Sequence, residues 1–238
     1  MVVATLAVGC AEPFASTLPT IPVVAANAAD ISYSCGGGYP FTPALFNKPG
    51  DAEKLQTPIG EAFRALLATP RGEGNLTGWY YLGGDGELAT FILRRVAQDD
   101  VIIADVQNDG GRWYAGGLQS CAAEAVLNSL QNADWIFDPT SPLPQATDRQ
   151  FVALVTAHTC VSGQESSTAT ITSPAIRYEQ GRILVIFGQR LPLDEPAICE
   201  ANRGRTARVL VHLDEPVGNR PVLDGDRYPP GDPTKPSN

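Results

Sequence analysis

Five cysteines constrain this chain more than any other feature of its sequence. Cys10 closes an apolar N-terminal run, Cys35 and Cys121 fall in one half of the chain, and Cys160 and Cys199 fall in the other. One cysteine used in processing and four used in two bridges leave none over, and such bridges persist only in an oxidising compartment. The expected pairs are Cys35 with Cys121 and Cys160 with Cys199. Loop closure then predicts about 4.5 and about 4 kcal/mol of stabilisation, comparable with the whole stability of a small domain. At 238 residues the chain suits two domains with modest cores, the size at which exported proteins rely on covalent staples.

Charge and composition narrow the partners. Seventeen basic residues against 26 acidic ones give a net charge of −9, which opposes binding to nucleic acid or to an anionic lipid surface. With 43% hydrophobic and 18% charged residues the chain reads as folded, and 23 glycines with 20 prolines call for many turns, so the expectation is β-rich.

Residues 1–29 read as signal, lipobox and tether. Met1 to Gly9 is apolar and ends in small residues before Cys10, which resembles the lipobox at which bacterial lipoproteins are cleaved and acylated on cysteine. Ala7 stands where that pattern prefers Leu or Val, and no Lys or Arg precedes the run. A rival reading cuts after Ala26-Asn27-Ala28, an A-x-A site, and a third leaves a cytosolic protein with a free thiol. Pro13, Pro19 and Pro22 make Glu12 to Ala29 a tether rather than regular structure. No apolar run reaches the 18 or so residues of a spanning helix, so membrane attachment is expected through lipid alone.

The expected fold is an α+β domain at 30–138, an antiparallel meander with one or two helices, followed by a small all-β sandwich at 150–227. Thr57 as N-cap with Pro58 at the first helical position opens a helix whose stripe is Ile59, Phe63, Leu66 and Leu67. Thr77 to Leu82, Leu88 to Arg95, Val101 to Gln107 and Arg112 to Leu118 read as strands separated by Gly- and Asp-rich turns. Ala122 to Leu130 has apolar residues at helical spacing and is the second helix. Asp138 to Pro144 holds three prolines, so 139–149 is the linker. Phe151 to Ala157, Ile171 to Tyr178, Arg182 to Phe187 and Arg208 to Leu213 supply the sandwich, and the proline-rich 228–238 is a mobile tail.

Trp135 to Pro139, then Ala153 to Cys160 with Ser162-Gly163, then Cys199, then Val209 to Arg220 and Leu223 to Gly225 with Tyr228-Pro229-Pro230 follow one another in an order that resembles a C-terminal module. That module occurs in exported and lipid-anchored proteins of high-G+C Gram-positive bacteria. Gly78-Trp79 and Gly111 to Cys121 look like the module that often precedes it. The resemblance implies location, disulfides and architecture, and no catalytic residue. His158 stands where that family's pattern leads one to expect a carboxylate.

Candidate chemistry is sparse. His158 and His212 are the only histidines, with Ser162 and Asp214 nearby in sequence, but no G-x-S-x-G elbow accompanies them. Metal-ligand spacings such as H-E-x-x-H and paired C-x-x-C are missing. Asp224-Gly225-Asp226 with Asp232 offers oxygens for calcium without EF-hand spacing and reads as a tight turn, with Arg220 expected to pair with Asp224. Arg203, Arg205 and Arg208 form one basic cluster, read as a solvated loop entering a strand. Gly36 to Gly38 and Arg71 to Gly74 lack the strand-then-helix context of a nucleotide loop. Trp79, Trp113 and Trp135 read as core rather than carbohydrate platforms. The expectation is therefore a non-enzymatic envelope protein, lipid-anchored or secreted, with no cofactor and no metal, whose partner is an unidentified envelope component. The alternative is a secreted hydrolase acting on cell-wall or ester substrates. Intact mass of the native protein is expected to show a chain beginning at Cys10 with added acyl groups; a chain beginning at Ala29 would replace acylation with simple secretion.

Overall fold

The computed structural model describes residues 20–24, 26–27, 31–36, 38–69, 76–98, 100–128, 130–157, 170–190 and 206–235. Strands β1 (Thr20–Val24), β2 (Ala26–Asn27) and β3 (Tyr33–Ser34) precede one α-helix, α1 (Pro58–Leu67). Strands β4 (Tyr80–Gly84), β5 (Leu88–Arg95), β6 (Asp100–Asp109), β7 (Arg112–Cys121), β8 (Ala123–Ala125) and β9 (Gln131–Phe137) follow. The chain continues through β10 (Gln150–Thr156), β11 (Thr170–Ile171), β12 (Ala175–Tyr178), β13 (Ile183–Arg190), β14 (Thr206–His212), β15 (Val222–Asp224) and β16 (Arg227–Tyr228). The protein is thus mostly β-sheet, with several antiparallel sheets and one α-helix among the described residues.

The meander forms as expected, β4-β5-β6-β7 in sequence order, all antiparallel. Local chemistry dictates it: Gly110 and Gly111 take positive φ in the β6–β7 turn, and the Asp85 carboxylate accepts from the backbone N–H groups of Glu87 and Leu88 in the β4–β5 turn. Helix α1 begins where Thr57 Oγ1 accepts from Gly60 N at 3.2 Å with Pro58 in the first turn. Its apolar stripe lies on β6 and β7. Phe63 stacks on Phe91 with ring centroids 3.9 Å apart and meets Trp79 edge-on.

Odd and even residues of β5 and β6 serve different cores. Ala89, Phe91 and Leu93 with Ile102, Ala104 and Val106 face α1, while Ile92, Val101 and Ile103 face away from it.

The larger sheet runs β1-β14-β10-β9-β13-β12-β2, with β11 and β15 also paired to β13. Its core gathers Trp135, Phe151, Val155, Ile176, Val185, Phe187, Val209 and Val211. A small sheet, β16-β8-β3, lies between the two. Around it a third core combines Ile31, Tyr33, Phe41, Ala123, Ala125 and Tyr228 with Ile92, Val101 and Ile103 of the meander and Leu184 and Ile186 of β13.

Several expectations are corrected by long-range pairing. Ala122 to Leu130 is not a second helix: Ala123–Ala125 is a strand between β3 and β16, and Asn128 takes a φ of 56° that interrupts helical geometry. Gln131–Phe137, read as the end of the first unit, is hydrogen-bonded between β10 and β13 of the larger sheet. Residues 139–149 therefore join two neighbouring strands of one sheet. They are held there by Asp138, whose carboxylate accepts from Arg208 Nε at 2.6 Å and from Thr140 and Ser141. Residues 20–24 and 26–27 of the expected tether contribute parallel strands to β14 and β12, a role open to Pro22 at a sheet edge, where no ladder donor is required of it. The tail expected to be mobile is docked through Pro233: Tyr228 is buried, Gly231 bridges Asp224, and Pro233 O accepts from Phe137 N. Residues 236–238 lie outside the described residues.

No helix among the described residues is long and apolar enough to cross a membrane. Because Tyr228 fills the third core against Tyr33, Phe41 and Phe46, Tyr228→Ala is expected to cost about 3–5 kcal/mol in urea unfolding, as for other buried aromatic truncations. A loss below about 1 kcal/mol would mean that the tail is an appendage.

Candidate functional site

The face of the meander turned away from α1 is covered only in part by the third core, and the uncovered remainder carries polar side chains. Thr90 on β5 and Asp105 on β6 are cross-strand partners, and Thr90 Oγ1 donates to Asp105 Oδ1 at 2.7 Å. Asp105 is in turn opposite Gly117 on β7, and Ile103 is opposite Gln119. Directly opposed residues share a face, so these side chains line one side of the sheet. Gly116 is the extra residue of a β-bulge, and a Cβ there would lie 2.5 Å from the Asp105 carbonyl oxygen. A Cβ at Gly117 would meet no atom within 4 Å.

A cavity of about 410 Å³ opens on this floor, lined by Tyr39, Leu88, Thr90, Asp105, Gln119 and the Cys35–Cys121 disulfide. The disulfide, with Cα atoms 5.8 Å apart, fixes the loop after β3 against the end of β7. That loop delivers Tyr39, whose ring lies 3.2 Å from where a Cβ of Gly83 would stand and whose hydroxyl donates to Asp85 Oδ2 at 3.3 Å. The N–H donors of Glu87 and Leu88 hold the Asp85 carboxyl below the usual carboxylate range, so it remains an acceptor for Tyr39. A second cavity of about 520 Å³ shares Leu88 with the first and is lined by Gln107, Asn108 and Tyr114. Tyr114 is exposed, and its hydroxyl donates to Gln107 Oε1 at 3.0 Å. Volumes of this size suit small ligands or a few units of a longer one.

The second notable group is a buried carboxylate pair. Strand β13 pairs with β15 at Ile183 to Val185 and with β9 from Phe187 to Gln189. Trp135 fills the fork: its indole N–H donates to Val185 O at 3.2 Å and to Asp224 Oδ1 at 2.9 Å. Asp224 Oδ1 also accepts from Asp226 N. Asp224 and Asp226 are 4% and 3% exposed. Burial, then the charge of Asp226, pushes Asp224 far up to about 8. Burial also pushes Asp226 up to about 6, with Arg227 opposing and Asp134 and Glu124 assisting. Asp226, Glu124, Asp134 and Arg227 line a cavity of about 360 Å³.

The other sequence candidates scatter. Cys35 and Cys121 are bonded to each other as expected. Cys10, Cys160 and Cys199, together with His158, Ser162, Arg203 and Arg205, lie outside the described residues. His212 is exposed on β14 opposite Gln150 and Val24, and Asp214 N donates to Tyr178 Oη. Arg220 does not pair with Asp224: it bonds Glu215 at 2.6 Å and the Pro216 and Val217 carbonyls, because Asp224 points inward to Trp135. Asp224-Gly225 ends a strand instead of making a tight turn, Gly225 N donating to Val185 O. Among the described residues no group of three or more His, Cys, Asp or Glu is placed to hold a metal ion. Trp79 and Trp135 are core, and Trp113 is half-buried against the helix-covered core. The Tyr39 to Tyr114 groove escaped the sequence reading; the Gly116-Gly117 pair inside a strand was its one local signal.

Comparison with family models, with characterised proteins and with solved structures finds no match for this chain.

The buried pair makes stability fall with rising pH. Both carboxyls are raised in the folded state, so between the unfolded carboxylate range and about pH 8 the folded protein binds more protons than the unfolded chain. Each retained proton then tilts stability by about 1.4 kcal/mol per pH unit. Asp138 acts oppositely: against its burial, hydrogen bonds from Thr140, Ser141 and Arg208 lower it, so its contribution is lost only as pH falls below the ordinary carboxylate range. The thermal midpoint is therefore expected to drop from pH 5 to pH 8, and Asp226→Asn to flatten the drop. A midpoint rising over that interval would contradict this assignment.

Proposed function

We propose that this chain is a non-catalytic protein of the cell envelope, held by acylated Cys10 or secreted, that binds another envelope component. Two folded units remain the organisation we favour, an α+β unit around the meander and a sandwich-like β unit, although they share a core. The observation that carries the reading is the polar groove on the open face of the meander, walled by the Cys35–Cys121 disulfide. A covalent wall of this kind persists only outside the reducing cytosol, and a rigid sheet floor presents side chains without needing to move. The order of motifs from Trp135 to Tyr228 supports the same assignment to exported, lipid-anchored proteins of Gram-positive bacteria.

One observation favours a second reading, a secreted hydrolase acting on cell-wall or ester substrates. Asp226 is a raised carboxyl beside Asp134 and Glu124 at a cavity, and carboxyls whose environments push their protonation apart perform acid–base chemistry. A screen of chromogenic esters and labelled cell-wall fragments separates the two. No turnover above buffer is expected; sustained turnover that Asp226→Asn abolishes would overturn the binding assignment.

A further inference from the structure

The groove has a chemical character that selects among envelope components. Tyr39 lines the first cavity with Thr90, Asp105 and Gln119, exposed Tyr114 lines the second with Gln107, and Leu88 is common to both. Gln119 and Tyr114 stand opposite Ile103 and Gln107, four residues of β6 or roughly 13 Å at the rise of a strand, a length for a chain rather than a single small molecule. Asp105, Glu87 and Asp109 line the two cavities together with the amides, and among the described residues no Lys or Arg does. A carboxylated, sulfated or phosphorylated ligand would meet only like charge there, on a chain that already carries −9. Phenol rings give flat apolar faces with a polar tip. Carboxylate and amide groups supply paired acceptors and donors of the kind that neighbouring hydroxyls need.

An extended peptide would instead add to the edge of β7, which among the described residues pairs with no strand but β6. The bulge at Gly116 breaks that edge, as bulges do where strand addition is avoided.

We propose that this groove binds an uncharged polysaccharide, with Tyr39 and Tyr114 as stacking faces and Asp105, Gln107 and Gln119 as partners of the sugar hydroxyls. The proposal rests on the binding reading above and names its ligand class. Gly117 gives it a clean test, since a side chain placed there enters open space beside Asp105 and leaves the core alone.

The experiment is affinity electrophoresis of the full chain through gels containing a neutral β-1,3-glucan, a neutral α-glucan, a neutral mannan or dextran sulfate. At least one neutral polymer is expected to retard the wild type. Tyr39→Ala and Gly117→Leu should each weaken that retardation tenfold or more, Tyr39→Phe should retain it, and Gly117→Leu should keep the wild-type melting midpoint. Failure of every neutral polymer to retard the protein, retardation unchanged in both weakening variants, or stronger binding to dextran sulfate would overturn the ligand class. In each of these cases an absence of turnover in the hydrolase screen leaves the binding reading standing, so the two failures are told apart.

Discussion

The aromatic cluster of Tyr33, Phe41, Phe46 and Tyr228 is the contact on which the rest of the structure depends. Tyr33 comes from the third strand, Tyr228 from the last, and the ring centroids lie 5.2 to 6.1 Å apart across the cluster and Tyr80. Stacked and edge-on rings at such spacing add about 0.5–1.5 kcal/mol per pair beyond the area they bury. Tyr33 Oη donates to Gly225 O, and Ala125 N donates to Asp226 O, so the cluster also fixes the segment that carries the buried carboxylates. It lies in the core that Ile92, Val101 and Ile103 of the meander share with Leu184 and Ile186 of β13.

The disulfide and the cluster act on the same place. Cys35 follows β3 and Cys121 ends β7, and both half-buried cysteines pack on the third core. The bond restrains the unfolded chain over a separation of 86 residues, while the rings supply the attraction that the bond itself lacks. Together they hold the loop that presents Tyr39, which links the staple to the floor of the groove.

What the sequence made legible was local. The four meander strands, their Gly- and Asp-rich turns and the Thr57-Pro58 helix start are specified by neighbours within a few residues, and they form close to where they were expected, the first strand lying at Tyr80–Gly84 instead of Thr77 to Leu82. What it hid was pairing at a distance. Ala122 to Leu130 carries helical spacing of apolar residues, yet Ala123–Ala125 is claimed by strands from opposite ends of the chain. Gln131–Phe137 precedes a proline-rich stretch that looks like a boundary, and only the pairs with β10 and β13 reveal its sheet. Tyr228 sits among prolines and glycine that suggest a loose tail, and its burial depends on Tyr33, 195 positions earlier by number. The groove was hidden for the same reason, because Tyr39, Asp105 and Gln119 are polar residues on three separate segments.

A core shared between two sheets has a thermodynamic consequence, since neither can lose its neighbour without exposing Ile92, Ile103, Leu184 and Ile186 to water. Differential scanning calorimetry of the oxidised protein tests this most directly. One transition is predicted, with calorimetric and van't Hoff enthalpies in agreement. Two resolved transitions, one for the meander and one for the larger sheet, would contradict it.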